Sequence, residues 1–260
     1  MIVIKNPAQI EKMREAGKVL HEVEMLVREK IQPGITTAEL DVYAEQLIRS
    51  RNAIPSSLHY EGYPCTICAS VNDEVVHGIP SDSRVLREGD IISVDCTLLL
   101  DGWQADSAFT VGVGRISEEA QRLIDVTEKC FFIGARQCVV GNRVSDIGIA
   151  VEKYAVAQGF SPIRDFTGHG IGRDMHEDPA VFNYWDPRNG HGPRLRRGMT
   201  LAVEPMIAQN GWRVTIDDDG WCARTLDHGL CAHYEHTVAI NEEGLPDILT
   251  LPGFRWEAEA

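Results

Sequence analysis

No stretch of the chain approaches the roughly 20 consecutive apolar residues that a membrane-spanning helix requires, and Met1-Ile2-Val3-Ile4-Lys5 is too short an apolar run for a secretory leader. Positive charge is also scarce: 25 Lys and Arg stand against 39 Asp and Glu, a formal charge of -14. Phosphate recognition needs a basic surface, so neither stable nucleic-acid binding nor membrane association is expected. There is no disulfide framework. Seven cysteines at irregular spacing in 260 residues are an odd set in a chain too long to need staples, which points to a reducing cytoplasm. Cys65 and Cys68 form a CxxC with no second pair, so neither a zinc site nor a redox motif is expected there. No low-complexity linker divides the chain. At 43% hydrophobic it can bury a large core, as one domain of residues 1–260 or two tightly joined halves.

The most informative stretch is Gly89 to Val113. Asp101-Gly102 is a two-residue hairpin signal, because a tight primed turn needs positive φ. That loop would pair Leu100 with Trp103 and Thr97 with Asp106. Asp95 then shares a face with Thr97 and lies diagonal to Asp106, roughly 7–8 Å away at Cβ. The opposite face carries Ile92, Val94, Cys96, Leu98, Leu100, Trp103, Phe109 and Val111, a buried sheet face. Two like charges held so close raise each other's pKa unless a cation lies between them.

Before this hairpin, Asn6-Pro7 opens a helix in which Ile10, Met13, Gly17, Leu20, Val23 and Val27 keep helical spacing, ending before Pro33-Gly34. Thr36 and Glu39 form a capping box for a second helix to about Arg49. A strand-like stretch follows from Thr66 to Val71. After Gly114, one helix is expected from Glu118 to about Val139 and another, capped by Ser145, through Gln158. The second half repeats the first. Leu86-Arg87-Glu88-Gly89 through Asp95 lines up with Leu195-Arg196-Arg197-Gly198 through Glu204, and His77-Gly78-Ile79 echoes His169-Gly170-Ile171. Two related helix-helix-β lobes, about 1–114 and 115–260, are therefore expected around a pseudo-two-fold axis, with ligands converging where they meet.

Candidates for that junction are Asp95 and Asp106 from the first lobe. From the second come Glu204, which ends a strand at Pro205, and Glu235, set among apolar strand positions of Cys231–Val238. His169 lies among glycines that permit close backbone approach. Four carboxylates balance two divalent cations. Oxygen ligands with one imidazole suit Mn, Fe, Co or Zn without choosing among them.

Asp95 and Asp106 eleven apart, Thr167-Gly168-His169-Gly170-Ile171-Gly172 with His176-Glu177, Val203-Glu204-Pro205-Met206 and Tyr234-Glu235-His236-Thr237 resemble the type I methionine aminopeptidases. The match runs from Met13-Arg14-Glu15-Ala16-Gly17 to Glu235-His236-Thr237, nearly the whole chain, and the lack of an N-terminal extension resembles the bacterial form. The resemblance implies an α/β (α+β) "pita-bread" fold around a dinuclear metal site, and removal of initiator methionine from nascent polypeptides when the second residue is small. It implies Asp95, Asp106, His169, Glu204 and Glu235 as metal ligands, Asp106 and Glu235 bridging. It further implies His77 and His176 as substrate contacts and Tyr60, Tyr63, Cys68, Met175 and Trp221 as lining of a methionine pocket. Two positions depart from the pattern: Glu61 stands where His is usual, and Met175 where an aromatic is common.

In such a site two ions sharing a water lower its pKa, so that hydroxide can attack the scissile carbonyl. Glu204 is the expected general base and proton shuttle, His176 the donor to the developing oxyanion, and His77 a contact to the amide nitrogen. Two other readings compete. A proline-specific peptidase of the same fold resembles the chain only in its second part, after a long extra domain for which no room precedes Pro7. A metal-free binding protein on this scaffold would have lost ligands. Remaining charged features read plainly. Arg194, Arg196 and Arg197 form a solvated turn, with transient ribosome proximity as the alternative. Asp217-Asp218-Asp219-Gly220 is a hairpin turn without the downstream acid of a calcium loop. A cytoplasmic monomer is expected.

Overall fold

The computed structural model describes residues 1–242 and 244–257. Helix α1 (Pro7–Lys30) starts where expected: the Asn6 side chain accepts from Gln9 N, Gln9 returns the bond to Asn6 N, and Pro7 occupies the first turn. Helix α2 (Thr37–Ser50) carries the Thr36–Glu39 capping box. Helices α3 (Glu118–Ala135) and α4 (Val144–Ala157) open the second half. Two details differ from the sequence reading. Helix α3 stops at Ala135 rather than near Val139. Ser145 lies inside the first turn of α4 rather than capping it, because the Asp146 carboxylate takes the Arg143 N–H at 2.7 Å. The Ser145 hydroxyl is instead paired with His191 Nδ1.

The strands of three or more residues begin with β1 (Ile67–Val71), β2 (Glu74–Val76), β3 (Ile91–Leu100) and β4 (Trp103–Gly112). The second half adds β5 (Gly168–Gly170), β6 (Glu177–Val181), β7 (Thr200–Val203) and β8 (Met206–Ala208). It ends with β9 (Val214–Ile216), β10 (Ala223–Thr225), β11 (Cys231–His233) and β12 (Glu235–Ala239). The main sheet runs β3-β4-β12-β7-β5-β6, with β1 and Ile54–Pro55 also on β3 and Asp247–Ile248 on β12. Every pairing in its centre is antiparallel. The β3–β4 hairpin has the expected register, Leu100 opposite Trp103 and Thr97 opposite Asp106, with Asp101 and Gly102 at φ 50 and 79.

Helices α1 and α2 cover one end of this sheet, burying Leu20, Val23, Leu40 and Ile48 against Val94, Leu98 and Phe109. Gly17 is required there: a Cβ on it would strike the carbonyl oxygen of Leu249. Phe131 and Ile147, on α3 and α4, pack against Leu201, Val203 and Val238 at the other end. The helices thus hold one face of the sheet, and the carboxylates of β3, β4 and β12 project from the other.

The repeat is legible only in part. Strands β3 and β7 take matching places on either side of the β4–β12 pair. The His-Gly-Ile echo has no such equivalence: His169 is inside β5 of the main sheet, whereas His77 follows β2 in a separate sheet, β9-β10-β2, at φ 60. The stretch 231–238 is also not one strand. It breaks at Tyr234, β11 pairing with β8 in a third sheet and β12 with β4 and β7 in the main one.

Candidate metal centre

Asp95, Asp106, His169, Glu204 and Glu235 line one cavity of about 320 Å³, together with Tyr60, Tyr63, Cys68, His77, Met175, His176 and Trp221. All the site residues singled out from the sequence therefore meet in one place. Each is delivered by a local reason. Asp95 and Asp106 share a face of the hairpin, with Asp106 held by the Thr97 hydroxyl at 2.7 Å and its backbone N–H donating to Thr237 Oγ1. Glu204 follows the last residue of β7 and precedes Pro205, which cannot continue the ladder. Its carbonyl accepts from Asn183 Nδ2 at 2.9 Å. Glu235 opens β12 opposite Ala108.

His169 is seated by its flanking glycines: a Cβ on Gly168 would meet the Ala202 carbonyl, and one on Gly170 the Asp178 carbonyl. Its Nδ1–H donates to the Gly170 carbonyl at 2.9 Å. That bond leaves the Nε2 lone pair free, 3.6 Å from Asp106 Oδ2 and 3.5 Å from Glu204 Oε1.

The electrostatics of the cluster call for a cation. Burial, then the neighbouring Asp106, holds Asp95 well above the usual carboxylate range. Asp106 is pushed up to about 6, burial outweighing the bond from Thr97. Glu204 and Glu235 are raised for the same two reasons, burial first and fellow carboxylates second. Glu235 Oε1 is buried with no hydrogen-bond partner among the described residues. An acid cluster this deep, with an orphaned oxygen, is an unfavourable arrangement without positive charge. Ligand atoms of Asp106, His169 and Glu235 lie within 4.8 Å of one another, as do those of Asp95, His233 and Glu235. Glu235 belongs to both groups. The donor set fits divalent ions of the kind that accept oxygen and imidazole together.

The rest of the cavity is aromatic and apolar. Tyr63 lies edge-on to Trp221 at 5.2 Å, and its hydroxyl donates within the protein, with the Ile67 and Gly78 carbonyls at 3.0 and 3.1 Å. Cys68 pairs opposite Asp95 and is buried; burial keeps its thiol protonated. His176 reaches over His169, ring centroids 4.3 Å apart, and its Nδ1 pairs with the Tyr60 hydroxyl at 2.8 Å. Burial lowers the pKa of both His77 and His176, and each is lowered further by a neighbouring histidine. Glu61 lies on the exposed rim and Met175 in the buried wall.

Sequence reasoning missed four contributors. Phe166 stands edge-on to His77 at 5.5 Å. His233 comes beside Glu235. Lys5 makes a buried 2.5 Å ion pair with Glu177, the neighbour of His176. Glu24 of α1 is buried, its pKa raised first by desolvation, on a helix that read as an ordinary amphipath. The signal that could have pointed to His233 is its i, i+2 spacing from Glu235, which places both on one strand face.

Residues 11–242 match the model of metallopeptidase family M24. A methionine aminopeptidase of Clostridium acetobutylicum is 51% identical over 251 residues, spanning 96% of this chain and 99% of that protein. The crystal structure of methionine aminopeptidase from Rickettsia prowazekii superposes with a TM-score of 0.93 at 39% identity, covering 96% of this chain and all of that one. An Xaa-Pro dipeptidase from Bacillus anthracis shares the fold alone, with a TM-score of 0.75 at 21% identity over 61% of its length. The architecture is the expected pita-bread fold.

Proposed function

The chain belongs to metallopeptidase family M24, and on that footing we infer that it is a metal-dependent aminopeptidase, a hydrolase that removes methionine from the N-terminus of polypeptides whose second residue is small. The observation that carries this reading is the joining of the carboxylate–imidazole cluster and the Tyr63–Trp221 wall in one cavity. The scissile bond would lie between them.

Two divalent ions would fit the site, and Asp95, Asp106, His169, Glu204 and Glu235 would hold them. When bound, such ions supply Lewis acidity toward a water and toward the scissile carbonyl. Glu204, at the rim of the cluster, accepts the proton of the attacking water and returns it to the leaving amine. In the tautomer whose Nδ1 accepts the Tyr60 O–H, the His176 N–H lies on Nε2, free to donate to the carbonyl oxygen as negative charge grows. Burial keeps His77 and His176 neutral, so each can donate or accept beside the substrate without adding a positive charge. His77 contacts the amide nitrogen. The aromatic wall, with Cys68 and Met175, receives the thioether side chain.

We read residues 1–260 as one catalytic domain of two lobes, the first giving Asp95 and Asp106 and the second the other ligands. Among the described residues no helix is long and apolar enough to cross a membrane. A cytoplasmic monomer acting on nascent polypeptides suits this reading, and the exposed Arg194, Arg196 and Arg197 would face a nearby ribosome. The test is metal content per chain together with cleavage of Met-Ala-Ser and an Ala-Pro peptide. Two ions and release of methionine alone are expected; preferential cleavage of the Ala-Pro bond would overturn the reading.

A further inference from the structure

Two histidines flank Glu235 in Ala232-His233-Tyr234-Glu235-His236. His236 has both ring nitrogens engaged, Nδ1 with Thr250 Oγ1 at 2.9 Å and Nε2 with the Tyr234 hydroxyl at 3.1 Å. It is a satisfied core histidine. His233 differs. Its side chain is only 2% exposed, yet Nε2 is buried with no hydrogen-bond partner among the described residues. Its backbone is fixed on both sides by Thr110, whose hydroxyl accepts from His233 N at 2.9 Å and donates to its carbonyl at 2.8 Å. Residues 233 and 235 belong to two different sheets on either side of Tyr234, and the His233 ring lies behind the cavity wall against the Glu235 carboxylate.

The bare nitrogen stands 3.5 Å from Glu235 Oε2. That is long for a hydrogen bond but natural for two atoms that share an ion about 2.0–2.2 Å from each. A ring nitrogen of His233 also lies within 4.8 Å of an Asp95 oxygen. Buried polar nitrogens without partners are rare in folded proteins and need an explanation. We propose that His233 is a ligand of the metal centre, supplying nitrogen to the ion held between Asp95 and Glu235, so that each of the two ions carries one imidazole. The other half is Asp106, His169 and Glu235. Imidazole on both sides shifts the centre toward Fe, Co or Zn and away from the all-oxygen surroundings that suit Mn.

This inference rests on the two-ion reading, and the test separates the two. The full chain is stripped with chelator, loaded with two equivalents of Co(II), and studied by X-ray absorption for imidazole scattering and by titration calorimetry. Wild type, His233→Gln and His169→Gln are compared; glutamine keeps a polar side chain without the ring. Two imidazoles per two cobalt ions are expected in wild type and one in either variant. In His233→Gln one of the two binding steps should weaken by more than about tenfold while the other is kept. A single imidazole in wild type would overturn the proposal without any variant needing to fold. So would a count of two that persists in His233→Gln, or cobalt isotherms that superimpose. Uptake of fewer than two ions, or no cleavage of Met-Ala-Ser by wild type, would instead remove the reading beneath it.

Discussion

His169 presents Nε2 to both Asp106 and Glu204 at 3.6 and 3.5 Å while its Nδ1 is committed to the Gly170 carbonyl. His176, seven residues on, uses its Nδ1 on the Tyr60 hydroxyl at 2.8 Å. The two rings are in contact, yet their bonds assign them different work. His169→Ala should remove a metal ligand, lowering ion affinity and turnover together. His176→Ala should keep the metal content and lower kcat by roughly 10²–10³-fold, as expected for loss of an oxyanion donor. Calorimetric metal titration beside steady-state kinetics on Met-Ala-Ser checks both. Loss of metal from the His176 variant, with retention in the His169 variant, would reverse the assignment.

Stripping the metal should make stability depend on pH in a defined direction. The Asp106 carboxyl rises from its ordinary 3.8 to about 6 in the fold, burial being the main cause. Between those values the folded chain keeps a proton that the unfolded chain has lost, so stability falls as pH rises through the window. Asp95, Glu204 and Glu235, raised for the same reasons, act in the same sense. The chelated protein should lose about 5 °C or more in Tm between pH 4 and pH 7. Divalent metal at pH 7 should restore it, since ligands bound to the folded state stabilise by mass action. Melting curves that superimpose with and without chelator at pH 7 would contradict the charge cluster.

What could be read from the chain was whatever is local and periodic. The Asp101-Gly102 turn set the register of the β3–β4 hairpin, and register alone put Asp95 and Asp106 on one face. The Asn6 cap and the Thr36–Glu39 capping box are bonds spanning three residues, so their spelling is their structure. Long-range partners were not legible in this way. Lys5 looked like the end of a short apolar run until the fold brought it to Glu177, 172 residues away. The His-Gly-Ile echo misled because a tripeptide match carries no sheet assignment. His233 shares a strand face with Glu235 by simple alternation, but nothing in the sequence separates it from the other histidine beside Glu235, His236, which the fold turns into a satisfied core residue.

The Lys5–Glu177 pair should be worth more when one partner is lost than when both are. The side chains are 2% and 8% exposed, and Glu177 also accepts the Arg173 N–H at 3.0 Å. Lys5→Met would leave a buried carboxylate without its cation, at a cost of about 3 kcal/mol or more. Lys5→Met with Glu177→Gln removes both charges and keeps an acceptor for Arg173, so at least half of that loss should return. Urea unfolding of the metal-loaded proteins gives the comparison. A double variant no more stable than the single one would mean that the lysine acts through packing rather than charge.

Specificity should be set at two places by two kinds of contact. On the methionine side, the Tyr63 hydroxyl is already consumed by the Ile67 and Gly78 carbonyls, and Trp221 stands edge-on to the Tyr63 ring. The wall therefore has little to offer a polar side chain and much to offer a polarisable thioether. Replacing the substrate's methionine by norleucine should be tolerated far better than replacing it by glutamine, which would bury an amide without partners. On the other side, a substrate with its methionine against this wall would bring its second residue to the ligand cluster and the His176–Tyr60 pair. A large side chain there would displace the substrate's amino group from the site. Met-Gly, Met-Ala and Met-Ser peptides should be cut readily, and Met-Lys and Met-Trp at least roughly a hundredfold more slowly in kcat/KM, because small misplacements of reacting groups are costly. The measurement is methionine release from matched tripeptides at equal metal loading. Equal kcat/KM for Met-Ala-Ser and Met-Lys-Ser would show that nothing in this cavity senses the second residue.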